Sequence, residues 1–210
     1  GRLPTKPGSF PILNLKKEIA DCVIPKNDVF IQLDFNGAEI RTLISLAGKE
    51  QPEEDIHEWN MKNIYHNITE RSKAKQRFFA WLYNPNSNDQ ETEKYYTREQ
   101  VLNKHYNNNI VSTPFGRKIE ADNFHALNYL LQSSSSDNCL HSAIKINKFL
   151  KDKKSFVHSV IHDSIIIDLT FEERQVLPTL LELFKETKLG MFNTTVHIGK
   201  DLKNFERLQW

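Results

Sequence analysis

Phe156-Val157-His158-Ser159-Val160-Ile161-His162-Asp163-Ser164-Ile165-Ile166-Ile167-Asp168-Leu169 decides the reading of the fold. Two runs of β-branched and aromatic residues flank a short polar break, the pattern of two strands joined by a tight turn. The first strand is expected over 156–161, the turn at His162-Asp163-Ser164, and the second strand over 165–169. Asp163 then lies at the tip of a strongly apolar hairpin. Such an Asp is by itself a common turn former.

A second short apolar run, Val29-Phe30-Ile31-Gln32-Leu33-Asp34-Phe35, ends in the same way at the turn signal Asn36-Gly37. Asp34 closes that strand as Asp163 closes the hairpin. Two carboxylates at adjacent strand ends would suit two divalent cations about 3.5–4 Å apart, the arrangement that in-line phosphoryl transfer uses. Hard oxygen donors favour Mg²⁺.

Working outward, the period changes after Gly37. Ile40, Leu43, Ile44 and Ala47 share one helical face, and Gly48 ends that helix. Helices are expected over 56–66, 70–83, 92–106, 124–150 and 172–188, with a hairpin over 111–119 and a last strand at 194–199. Residues 1–27 read as irregular, and 49–55 and 84–90 as polar loops. Ser133 to Ser136 put small residues inside a helical pattern, either as a weak polar stretch or as a point of close approach.

On the helix at 70–83, Arg71, Lys75, Phe79 and Tyr83 recur every four residues and share a face. Two cations followed by two aromatics suit a triphosphate and then a base or sugar. Lys73 and Arg77 add positive charge to the same helix.

The totals bound the function classes only loosely. The 210 residues carry 28 Lys+Arg against 27 Asp+Glu, a formal net charge of +1, which neither demands nor excludes nucleic acid. Cys22 and Cys139 stand alone, which argues against a cysteine zinc site or a disulfide framework. No signal peptide or membrane span is evident, so the sequons at Asn67-Ile68-Thr69 and Asn193-Thr194-Thr195 read as chance. The opening Gly1-Arg2-Leu3 suggests a fragment or processed piece.

Taken in order, these segments resemble family A DNA polymerases, the group of bacterial DNA polymerase I and several phage replicases. Asp34-Phe35-Asn36-Gly37-Ala38-Glu39-Ile40-Arg41 resembles motif A. Arg71-x-x-x-Lys75-x-x-x-Phe79-x-x-x-Tyr83 resembles motif B, and Val160-Ile161-His162-Asp163 resembles motif C. Gly1-Arg2-Leu3, Asp55-Ile56-His57, Thr113-Pro114-Phe115-Gly116-Arg117 and Asn128-x-x-x-Gln132 resemble the connecting elements, all in the family's order.

The resemblance implies an α+β polymerase palm, with a small antiparallel sheet flanked by helices. It implies a reduced helical fingers subdomain and no thumb. Palm segments would be 1–56 and 113–210, with the fingers at 57–112. Asp34, Asp163 and the carbonyl of Phe35 would hold two Mg²⁺ ions, or Mn²⁺. Arg71 and Lys75 would grip the incoming triphosphate, Phe79 and Tyr83 would pack on the nucleotide, and Glu39 would lie under C2′ and disfavour ribose. Arg2, Asn128, Gln132 and His162 would contact primer or template. Primer–template DNA and dNTPs would be the partners, with a separate chain supplying thumb, exonuclease or processivity. No membrane is involved, and the location is cytoplasmic, in a host cell if phage-encoded.

The chain departs from the pattern at four places. Ser164 follows Asp163 where the family usually has Glu, which implies weaker metal affinity. Asn84 replaces a small residue, Phe124 stands where an Arg is common, and the fingers segments are short. Two alternatives follow: a catalytically weakened, polymerase-like DNA-binding subunit, and a single-subunit RNA polymerase, whose motif C often reads His-Asp-Ser. Glu39 and Phe79 speak against the latter. Asp89-Gln90-Glu91 has an exonuclease-like D-x-E pattern but lies in a polar stretch.

Overall fold

The computed structural model describes residues 4–209. The helices are α1 (Lys17–Ala20), α2 (Ala38–Leu46), α3 (Ile56–Asn63), α4 (Arg71–Tyr83), α5 (Gln90–Tyr96), α6 (Arg98–His105), α7 (Ala126–Phe149) and α8 (Leu177–Lys185). The strands are β1 (Val29–Phe35), β2 (Tyr106–Asn107), β3 (Ile110–Ser112), β4 (Lys118–Glu120), β5 (Phe156–Ile161), β6 (Ser164–Leu169), β7 (Glu186–Thr187), β8 (Gly190–Met191), β9 (Thr194–Gly199) and β10 (Phe205–Arg207). This is an α+β chain with small antiparallel sheets. It divides into two compact units: residues 37–135, and residues 4–36 with 136–209.

The second unit is built on a five-stranded sheet in the order β10-β9-β1-β6-β5. β1 lies between β6 and β9 and is antiparallel to both. Its alternation explains the layering. Ile31, Leu33 and Phe35 are buried, and Phe35 stacks on Phe184 of α8 with centroids 4.1 Å apart. Burying an aromatic of this size contributes about 1.5–3 kcal/mol. Gln32 and Asp34 point to the other face and are only partly buried. β6 is buried throughout because it pairs on both sides.

The first unit is helical around a core of Ile40, Leu43, Ile44, Tyr65, Phe78, Trp81, Tyr96 and Leu130 among others. Gly37 opens α2 at φ +69, and a Cβ there would come within 2.7 Å of the Ile56 side chain, so both conformation and space call for glycine. Arg41 is fully buried. It donates to the carbonyls of Pro52 (2.7 Å) and Glu54 (2.8 Å), which fastens the 49–55 loop to α2. Burial pulls its pKa down to about 10.

Some expected elements differ. The helix read over 92–106 is two, α5 and α6, broken at Thr97 with φ +49. The break accompanies Arg98, whose buried guanidinium lies over Trp81 and donates to the carbonyls of Trp81 and Asn84, tying down the end of α4. The segment read as one helix over 172–188 is a 3-10 stretch, Phe171–Val176, then α8, then the β7–β8 hairpin. The hairpin expected over 111–119 gains a third strand, β2, through the positive-φ pair Asn108-Asn109. β10 extends the large sheet beyond the strand expected at 194–199. Ser133–Ser136 are all buried, so this part of α7 is not a solvated face.

Candidate functional site

Asp34 and Asp163 come together within the sheet unit. In register, Asp34 of β1 pairs with Ser164, the residue after Asp163, and the Phe35 amide donates to the Asp163 carbonyl (3.4 Å). The turn joining β5 to β6 is only two residues, His162-Asp163, because Ile161 pairs directly with Ser164. His162 sits at φ +55, a conformation uncommon outside glycine that throws the turn into a tight reversal.

Electrostatics give the same picture. Burial, helped by the charge on Asp163, pushes the Asp34 carboxyl up from its ordinary 3.8 to about 7. The buried Cys139 thiol on α7 is pushed upward by burial first, then by Asp163 and Asp34. Two carboxylates and a buried thiol therefore share one neighbourhood. Sequence reading put no weight on Cys139, and its signal was only its place in the long helix.

The donor set suits a hard divalent cation. Two neighbouring carboxylates and the Phe35 carbonyl, which follows Asp34 in sequence, present oxygens to an ion such as Mg²⁺, and a cation would offset both the burial and, secondarily, the Asp163 charge that raise Asp34. No cluster of three or more His, Cys, Asp and Glu suited to a metal occurs among the described residues. The site is thus a two-carboxylate one. Ser164 is already engaged within the sheet: its hydroxyl donates to the Ile161 carbonyl (2.9 Å) and accepts from the Gln32 amide (3.3 Å).

In the helical unit, α4 carries the expected stripe. Arg71 and Lys75 are exposed, Phe79 is half-buried, and Phe79 stacks on Tyr83 with centroids 5.6 Å apart. The Tyr83 hydroxyl donates to the Glu39 carboxylate, bringing two predicted sugar-side residues together. Asp55, the N-cap of α3, holds Arg71 with two bonds of 2.6 and 3.0 Å. His57, absent from the expected site residues, is buried beside Phe79 with its Nδ1 unpartnered. Burial drives its pKa down to about 4, with Asp55 opposing and Arg71 and Lys75 assisting, so it is neutral at pH 7. The Asp55-Ile56-His57 segment was its only signal.

The basic field expected from Lys73 and Arg77 is largely spent within the unit. Lys73 pairs with Glu70, and Arg77 makes two bonds to Asp89 and one to Glu91 while lying over Tyr65. The D-x-E pattern at 89–91 is accordingly a clamp for Arg77. Asn128 and Gln132 line a cavity of about 630 Å³ in this unit together with Tyr83, Arg98, Phe124 and His125. The Asn128 amide oxygen is buried there without a partner. His162 belongs to the sheet unit, and Arg2 lies outside the described residues.

The five-stranded antiparallel sheet and the accompanying helical unit have the fold of a DNA polymerase domain. A solved structure with this fold is the POL domain of Pol1 from M. smegmatis in complex with DNA primer-template and dNTP, at a TM-score of 0.73 and 15% identity. The match covers 97% of this chain and 46% of that one, so this chain spans less than half the length of the Pol1 chain. No family model and no curated protein matches the sequence. No helix among the described residues is long and apolar enough to cross a membrane.

Proposed function

We propose that this chain is the nucleotidyl-transfer core of a DNA-directed DNA polymerase of the family A type, joining a dNTP to a primer 3′-hydroxyl. The observation that carries the reading is the closeness of Asp34, at the end of β1 and in register with Ser164, to Asp163 in the adjoining turn, in a sheet of the polymerase-domain kind. On this reading residues 57–112 are fingers, and 1–56 with 113–210 are palm.

Asp34, Asp163 and the Phe35 carbonyl would hold the ions. Bound Mg²⁺, or Mn²⁺, would activate the primer 3′-hydroxyl and offset charge on the triphosphate. Arg71 and Lys75 bind the triphosphate oxygens as cations, Arg71 after leaving Asp55. The neutral His57 ring supports Phe79, which with Tyr83 stacks on the nucleotide. Glu39, held by Tyr83, obstructs a ribose 2′-hydroxyl. Asn128, Gln132, His162 and Arg2 position the duplex rather than read its sequence. A separate chain or further segment supplies thumb, exonuclease or processivity function, and the reaction takes place in the cytoplasm, a host's if the chain is of phage origin.

The test is extension of a primer on a DNA template with Mg²⁺, comparing dNTPs with rNTPs. Expected are deoxynucleotide-selective extension and its loss in Asp34→Asn and Asp163→Asn with DNA binding retained. A folded chain that extends no primer, even with a thumb-bearing partner supplied, overturns the reading. The engagement of Ser164 in the turn favours one second reading, a weakened polymerase-like DNA-binding module. That reading predicts primer–template binding with no response of any activity to Asp34→Asn.

A further inference from the structure

Ser164 stands where the resemblance leads one to expect a third carboxylate, and the structure gives it a different task. A serine hydroxyl has a single proton, and this one goes to the Ile161 carbonyl across the two-residue turn (2.9 Å). The same oxygen accepts a bond from the Gln32 amide of β1 (3.3 Å), using one of its two lone pairs. Ser164 is 2% exposed and the two bonds of this relay from Gln32 to Ser164 to the Ile161 carbonyl are part-buried, where such bonds count for more than in open water. An ionised glutamate could not replace it, since a carboxylate cannot donate to a carbonyl.

The placement of the relay is what matters. Gln32 lies two residues before Asp34 on the same face of β1, and Asp34 pairs with Ser164. Ile161 and Ser164 bracket His162-Asp163, with His162 held at φ +55. One side chain thus ties the strand that bears the first carboxylate to the turn that bears the second. Other bonds knit the sheet elsewhere. The buried Asp168 carboxylate, for example, takes the amides of Lys26 and Asn27. Among the described hydrogen bonds, the Gln32–Ser164 bond is the side-chain link from β1 to the turn region.

We infer that Gln32 is a positioning residue for Asp163: through Ser164 it holds the turn so that the two carboxylates keep a fixed spacing with no third acid to help. The inference rests on the reading of Asp34 and Asp163 as the metal-binding pair. It gives Ser164 a role beyond the loss of a ligand.

The test uses the full chain without substrate. Mn²⁺ binding is followed by electron paramagnetic resonance of the free ion, and hydrogen exchange of the peptide spanning 159–166 is followed in EDTA. Variants are Gln32→Met, which keeps volume and removes the donor, Ser164→Ala, Ser164→Thr, which keeps the hydroxyl, and Asp34→Asn as reference. Expected in Gln32→Met and Ser164→Ala are Mn²⁺ affinity weaker by about tenfold, the scale seen when outer-shell partners of metal ligands are removed, and faster exchange confined to 159–166. Ser164→Thr restores both. Should Gln32→Met bind Mn²⁺ as the parent does while Asp34→Asn does not, the inference falls and the metal-pair reading stands. Should the parent and Asp34→Asn bind alike, the metal-pair reading falls, and the exchange data alone decide whether Gln32 braces the turn. If Gln32→Met unfolds, Ser164→Ala against Ser164→Thr carries the same comparison, and equal behaviour of those two overturns the proposal.

Discussion

Replacing Asp34 by Asn should make the metal-free protein more stable at neutral pH. In the folded chain the Asp34 carboxyl is raised from 3.8 to about 7, by burial and then by Asp163. A raised acid pKa means that the folded state holds its proton where the unfolded state has lost it. This contribution to stability is therefore full below about pH 3.8, falls as pH rises toward 7, and is flat above. A rise of about three pH units corresponds to ~4 kcal/mol at 1.36 kcal/mol per unit, and residual hydration of this partly buried group brings the expectation to between about 2 and ~4 kcal/mol. Asn carries no charge and should show none of this dependence. Urea unfolding in EDTA at pH 4 and pH 8 gives the measurement, with the parent-minus-variant difference cancelling the other titrating groups. The gap should open only at pH 8, and millimolar Mg²⁺ or Mn²⁺ should close much of it by stabilising the parent alone. A gap that is the same at both pH values, or a variant less stable than the parent at pH 8, would refute the claim that burial, and then Asp163, hold the Asp34 carboxyl raised in the folded chain.

Arg41→Ala should destabilise the protein by about 3 kcal/mol in urea unfolding, because it removes the donor to two part-buried carbonyls and opens a large void where a fully buried side chain stood. Asp55→Ala removes the α3 cap at a cost of about 1 kcal/mol in thermal unfolding. It also frees Arg71, so dNTP binding followed by fluorescence should tighten despite the lower stability. Tyr83→Phe leaves Glu39 without its hydroxyl donor and should lower the preference for dNTP over rNTP by about tenfold, one lost charge-assisted bond, in a competitive incorporation assay. Primer–template affinity should fall steeply between low and moderate salt, with a slope that Asp34→Asn leaves unchanged.

What was legible in the sequence was what local pattern determines. The apolar, β-branched runs in 29–35 and 156–169 placed three strands almost to the residue, and the four-residue recurrence from Arg71 to Tyr83 gave α4 its bounds and its face. The two acids at strand ends were visible as turn residues, and only the order of the surrounding motifs raised them above ordinary turn formers. Longer-range effects were not legible. The break at Thr97 follows from the tertiary demand that Arg98 reach the end of α4, a demand no helix propensity encodes. The neutralisation of Arg77 by Asp89 and Glu91 pairs residues that a linear charge count treats as independent. Cys139 and His57 gain their interest from burial among charges, which composition cannot report.

The two thiols of this chain have opposite exposure, and that makes the protein its own stopwatch. Cys22 is on the surface and open to alkylation, whereas Cys139 is sealed in the core and held protonated by burial and its acidic neighbours. A thiol reagent should mark Cys22 at once and reach Cys139 only during excursions that lay the core open. The second mass increment then counts such openings, and a divalent ion seated between the acids should slow the count without any dye, tag or engineered reporter.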